Sequence, residues 1–218
     1  MKRVAFILAV LGFAFSAPAV HAAPTPGNNP AVTAPTQAQA PSLIIKAFYD
    51  KLFGVMKDGE KLGFAGRAKA LTPSIKSAFN LPVMTRFAVG PVWAQATPDQ
   101  QTKLISAFSD FSVANYASRF AKYDGEKFQV LGETPASGGG TIVETTITPG
   151  GADAKPVSIN YLMKKDEKGS WRIVDVLLEG AISELATRRS EFSSIVERDG
   201  IPALVNDLGT KSRELGPS

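Results

Sequence analysis

The sequence predicts an α+β protein in which N-terminal helices pack on a mainly antiparallel sheet of four to five strands. Three observations predict it. Apolar residues recur at helical spacing from Ser42 to about Tyr123, the period switches to two between Phe128 and Glu179, and a helical pattern resumes at Ser183. Helices first and a strand meander after define that class. Of the 218 residues 44% are apolar, enough to bury the core of one domain.

The N-terminus reads as a secretory signal peptide. Lys2 and Arg3 precede an uncharged run from Val4 to Phe15, and small residues end in Val20-His21-Ala22-Ala23. A bilayer span needs about 20 apolar residues, so this run is too short to cross comfortably. Cleavage is expected near Ala22 or Ala23, which gives a signal peptide over 1–22 and an extracytoplasmic product, with an uncleaved signal anchor as the alternative. Residues 23–41 hold five prolines and no charge, and read as a disordered tether. The folded domain is expected over 42–210, with a C-terminal tail at 211–218.

Ser42 is placed as the first N-cap. Leu43, Ala47, Phe48, Leu52 and Met56 follow at helical spacing until Asp58-Gly59. A second helix is expected over about Glu60 to Leu71, and Thr72-Pro73 opens a short third. Leu81 to Val89 is the fourth, interrupted near Gly90-Pro91. Thr97-Pro98-Asp99-Gln100 supplies a cap, a proline at the first helical position and a glutamine three residues after the cap. A long aromatic helix then reaches about Tyr123, with Leu104, Phe108, Phe111, Tyr116 and Phe120, and stops at Asp124-Gly125.

Phe128 and Val130 mark a first strand. Thr141 to Thr148 is the second, after a turn at Gly138-Gly139-Gly140 that no Gly-Lys-Ser/Thr follows and that is therefore no phosphate loop. Val157, Ile159, Tyr161 and Met163 alternate through a third. Lys164 to Gly169 turns into the fourth, Trp171 to Glu179. Ser183 caps a helix to about Arg198, Asp199-Gly200 ends it, and Pro202 opens a last one through Leu208.

Composition narrows the function. The chain has no cysteine, and its one histidine, His21, leaves with the signal peptide. Ser-His-Asp catalysis, thiol nucleophiles and most zinc, copper and haem ligation go with them, so no metal or cofactor is expected. The net charge of +4 is mild and has no long basic run, which excludes nucleic acid. The fourth strand is apolar on both faces, with Val174, Val176 and Leu178 on one and Trp171, Ile173 and Leu177 on the other. In a two-layer protein one face is normally polar. Two readings stand: protein covers both faces, or a hydrophobic ligand covers one.

A longer pattern carries a resemblance. Leu81-Pro-Val-Met-Thr-Arg-Phe-Ala-Val-Gly-Pro-Val-Trp93 is followed by Thr97-Pro-Asp-Gln-Gln101, Phe108 to Phe111, Tyr116 and Tyr123-Asp-Gly125. Trp171-Arg-Ile-Val-Asp-Val176, Glu179-Gly180, Ser183 and Arg189-Ser-Glu-Phe192 continue it. Together, over roughly 43–210, these resemble the periplasmic lipid-binding family of the toluene-tolerance and MlaC-like lipid-asymmetry transport systems. The stretch from Glu179 to Phe192 is most similar to the hopanoid-biosynthesis-associated, HpnM-like branch. The family's loop motif commonly ends Glu-Gly-Val-Ser, whereas here Ala181-Ile182 separate Gly180 from Ser183.

The resemblance implies a curved sheet and helices related to the NTF2-like cone, enclosing a hydrophobic pocket. It implies a lipid ligand, phospholipid or hopanoid, a monomer, and partners among inner- and outer-membrane lipid transport complexes. The pocket lining is expected among Met84, Phe87, Trp93, Phe108, Phe111, Tyr116, Val143, Ile159, Tyr161, Ile173, Val174, Val176 and Leu178.

Charged residues offer a competing chemistry. Asp175 and Glu179 lie about 13 Å apart along a strand, four residues at ~3.3 Å each, too far for a standard acid/base pair. Asp175 alone with Tyr161 or Tyr116 would suit a cofactor-free NTF2-like enzyme acting on a polycyclic lipid. The bland role for Asp175 is an ion pair with Arg188, Arg189 or Arg119, and Glu179 would brace the turn at Gly180. Arg188, Arg189, Arg198, Lys211 and Arg213, and the turn lysines Lys164, Lys165 and Lys168, are either solvated or dock on anionic head groups or an acidic partner. A third function is an accessory scaffold that binds no lipid.

Overall fold

A computed structural model describes residues 40–216. The expected signal peptide and nearly all of the expected tether lie outside the described residues.

Helix α1 spans Pro41–Lys57. Its cap is Ala40, not Ser42, because Pro41 takes the first helical position with its φ already set. The Ser42 N–H donates instead to Glu133 Oε1 at 2.8 Å and ties the helix start to the first strand. The buried stripe is Ile45, Phe48, Tyr49, Leu52, Val55 and Met56. Leu43 and Ala47, expected on that stripe, face solvent.

Helix α2 spans Gly59–Ala78 and absorbs the break expected at Thr72-Pro73. Gly63 kinks it at φ 61°, and Pro73 lies inside it. The expected third helix does not start there. Pro73 and Lys69 are both exposed, so the Lys69 carbonyl that proline leaves without a donor can be solvated. Helix α3, Leu81–Val89, is capped by Asn80, whose own N–H donates to Ile173 O at 2.8 Å and pins the α2–α3 junction to the sheet. A 3₁₀ turn, Gly90–Gln95, follows.

Helix α4, Pro98–Arg119, carries the capping box as expected: Gln100 N–H donates to Thr97 Oγ1 at 3.2 Å, and Thr97 N–H to Gln100 Oε1 at 2.9 Å. It ends four residues before Tyr123. Phe120 leaves helical geometry and stacks on Tyr116, and the Tyr123 N–H donates to Met56 O at 3.0 Å, which draws the chain onto the end of α1.

The sheet is an antiparallel meander in the order β1-β2-β3-β4-β5, over Lys127–Ala136, Gly140–Thr148, Val157–Lys165, Trp171–Leu178 and Ile182–Ser183. Gly138 and Gly139, at φ 69° and 74°, make the β1–β2 turn in a backbone region open to glycine. Helix α5, Glu184–Glu214, is capped by Ser183 and broken at Gly200, as the sequence indicates. Its second half runs to Glu214, past the expected Leu208, so residues 211–214 of the expected tail are helical.

Register decides the faces. Val143, Tyr161 and Val176 are cross-strand partners and join the core beneath the helices. Ile142, Leu162 and Leu177 lie on the other face and are half-buried. Shifts at Leu131 in β1 and at Val174 in β4 re-aim the residues beyond them.

Candidate functional site

Seven rings meet between α1, α4 and the inner face of the sheet. Phe48 sits edge-on to Phe79 and Tyr116, with centroids 5.3 Å apart in each case. Tyr49 is 5.0 Å from Phe128 and 5.9 Å from Tyr161. Tyr116 stacks on Phe120 at 5.7 Å, and Phe120 lies 6.1 Å from Phe128. Helical spacing delivers Phe48, Tyr116 and Phe120, and strand alternation delivers Phe128 and Tyr161.

One polar contact is sealed into this wall. The Thr145 hydroxyl donates to Ile159 O, so the Tyr49 hydroxyl, 2.7 Å from Thr145 Oγ1, is the donor between them. Burial raises the Tyr49, Tyr116 and Tyr161 hydroxyls above the ordinary phenol range, so all three are neutral at physiological pH. The cluster is an apolar surface with hydroxyl handles and no resident base.

A cleft of about 580 Å³ opens onto it between α1 and β1. Lys46, Tyr49, Asp50 and Phe53 form one side, Lys127, Phe128, Gln129 and Val130 the other, and Tyr123 and Glu126 close the end. Tyr49 and Phe128 line the cleft and also belong to the cluster, so the surface cleft and the aromatic interior share a wall. Lys46, Lys127, Asp50 and Glu126 put two charges of each sign at the rim. Ligand sites of this kind run to about 300–1,000 Å³, with apolar walls and few polar groups. A second hollow of about 410 Å³ adjoins at Tyr123, lined by Met56, Lys57, Asp58, Glu60, Lys61 and Lys122.

Of the residues expected to line a pocket, Tyr116 and Tyr161 are in the cluster. Met84, Phe108, Phe111, Val143, Ile173 and Val176 are buried in the same continuous core, with Trp93, Ile159 and Leu178 packed against it. Phe108 meets Phe192, and Phe111 lies under the Arg188 guanidinium, on the α4–α5 side. Val174 is buried at the β4 register shift and is not part of that core. Phe87 is 46% exposed, beneath Arg189. Of the residues that line the cleft, Phe128 and Val130 were legible as a period-two strand, whereas Tyr49 and Phe53 lie on the expected first helix but outside the stripe read for it.

Asp175 pairs in register with Leu162, on the face opposite Tyr161. Among the described residues no arginine meets it. Its carboxylate accepts from Val176 N–H at 2.8 Å, from Leu185 N–H at 3.1 Å and from Ser183 Oγ at 2.5 Å, while Ser183 Oγ accepts from Ala186 N–H. The acid fastens the start of α5 to β4. Backbone amides at the positive end of a helix satisfy it in place of a guanidinium. Glu179 is exposed, at a left-handed φ of 52° in the following turn. Asp175→Ala is expected to cost about 2–4 kcal/mol, because it leaves buried donors without an acceptor. Urea denaturation measures it, and a loss below about 1 kcal/mol would rule out the bracing role.

Helices cover one face of an open antiparallel sheet, and a cleft with Tyr49, Phe53, Tyr123 and Phe128 in its walls lies at one sheet edge. A solved structure of the same fold is the phospholipid-binding protein from Ralstonia solanacearum in complex with a phospholipid. It superposes with a TM-score of 0.68 over 83% of this chain and 99% of that one, at 22% identity. The sequence model of the family described as MlaC protein matches residues 46–210, and the chain belongs to that family. A search of curated proteins finds no match.

Proposed function

We propose that the protein is an exported lipid carrier. The acyl chains of a phospholipid lie against the aromatic cluster, and the head group stays at the charged rim between α1 and β1. The observation that carries this reading is the wall that cleft and cluster share, Tyr49 and Phe128. Family membership and the phospholipid bound by the structural neighbour support it. The N-terminal pattern from Lys2 to Ala23 supports delivery to the periplasm, and the family supports exchange with inner- and outer-membrane transport complexes.

The energetics need no catalyst. Each methylene withdrawn from water contributes about 0.8 kcal/mol, so about fifteen of them offset the ordering cost of holding one chain. The mixed rim charges match a head group that bears a phosphate and an amine. The neutral tyrosines, and an Asp175 carboxylate spent on Ser183 and two backbone amides, favour binding over catalysis. A hopanoid is the second cargo, favoured by the resemblance of 179–192 to the hopanoid-associated branch.

Mass spectrometry of the purified protein, native and then on its solvent extract, tests the reading. One lipid per chain is expected, and its mass separates phospholipid from hopanoid. A clean protein mass after gentle purification overturns it.

A further inference from the structure

Helix α3 is apolar on both faces. Leu81, Met84, Ala88 and Val89 are buried beneath it, whereas Val83 and Phe87, one turn apart, are 48% and 46% exposed. A helix apolar all round is ordinarily covered on every side. Pro82 and Pro91 extend the exposed apolar surface at either end of α3.

Charge along this segment is one-sided. From Lys61 to Pro98 the sequence has no carboxylate and five basic residues. Arg86 lies on the exposed face beside Val83 and Phe87. Arg189 reaches over from α5 and sets its guanidinium 5.4 Å from the Phe87 ring, with its Nε 3.1 Å from where a Cβ on Gly90 would stand. Among the described residues neither Arg86 nor Arg189 forms an ion pair, although Arg188, next in sequence, bridges Glu184 and Glu191. Two unneutralised guanidiniums therefore flank an apolar wedge.

We propose that this face seats on an anionic phospholipid membrane surface, with Val83 and Phe87 entering the interface and Arg86 and Arg189 meeting lipid phosphates. The size of the patch selects that occupant. A stable protein partner covers about 800 Å² on each side, far more than two large side chains and two prolines offer. A transient interfacial contact needs only a short apolar insertion and nearby cations. The patch shares no residue with the α1–β1 cleft, so it stands independently of the cargo reading.

Co-sedimentation of the full protein with vesicles tests it, using phosphatidylcholine alone against equal parts phosphatidylcholine and phosphatidylglycerol. Binding is expected only with phosphatidylglycerol, weakening at high salt. Arg86→Gln with Arg189→Gln lowers the partition about fivefold per charge removed. Phe87→Ser lowers it about tenfold. Circular dichroism checks folding, and native mass spectrometry of the same variants reads lipid cargo separately, which stays at the wild-type level. Absence of binding to phosphatidylglycerol vesicles overturns the proposal and points to an acidic protein surface instead. Wild-type binding by all the variants overturns it too.

Discussion

Phe128→Glu is expected to empty the protein of lipid while leaving it folded. Phe128 is half-buried on β1, an edge strand, and lines both the cleft and the aromatic cluster. A glutamate there reaches cleft water through the open side, so the fold tolerates it. An acyl chain laid along the cluster removes that water. A carboxylate desolvated without a partner costs several kcal/mol or takes up a proton. A loss of about 3 kcal/mol is roughly a hundredfold in affinity. Leu131→Glu is the control. Leu131 lies on the same strand, but at the register shift, 62% exposed and outside the cleft. It is expected to keep its lipid. Native mass spectrometry reads occupancy and thermal melting reads the fold. Wild-type lipid content in a folded Phe128→Glu protein would place the cargo elsewhere.

The same pair of residues marks what sequence can and cannot say. Local chemistry was legible wherever one short segment decides the outcome: the Thr97–Gln100 box, the Ser183 cap, the break at Asp199-Gly200 before Pro202, and the alternation of all four long strands. Faces were not legible. Period two says that Val174 and Val176 share a side, but the shift at Val174 leaves only Val176 in the core beneath the helices. Helical spacing groups Met84 with Phe87, yet α3 carries apolar residues on both its buried and its exposed face, so the stripe has no unique direction. Asp175 was misassigned for a related reason. Its partners are Ser183 and two backbone amides, and amides leave no trace in composition. The cleft needs α1 and β1 side by side, a contact across some eighty residues that no local pattern encodes.

Arg67 carries the largest stability prediction. It is 9% exposed in the middle of α2, and the sequence offers it nothing but helical spacing. Its Nε donates to Ala117 O at 2.8 Å and its Nη1 to Gly59 O at 2.7 Å, with no carboxylate among its described partners. Ala117 lies in the last turn of α4, the negative end of that helix, so unpaired carbonyls stand in for a counter-ion. Gly59 permits the approach, because a Cβ there would come within 1.9 Å of Ala121 O. Arg67→Ala strips two buried carbonyls of their donors and opens a void. It is expected to destabilise the protein by about 3 kcal/mol. For a domain of this size that lowers Tm by roughly 6–12 °C. Arg67→Lys is expected to rescue little, since one ammonium nitrogen does not reproduce the planar fork that spans both carbonyls. The damage also reaches the site, because the end of α4 that Arg67 holds carries Tyr116 and Phe120. Lipid retention in Arg67→Ala is therefore expected to fall at temperatures below the melting transition. A Tm within about 1 °C of wild type would mean that water replaces the guanidinium without cost, and that the α2–α4 junction is held by apolar contacts alone.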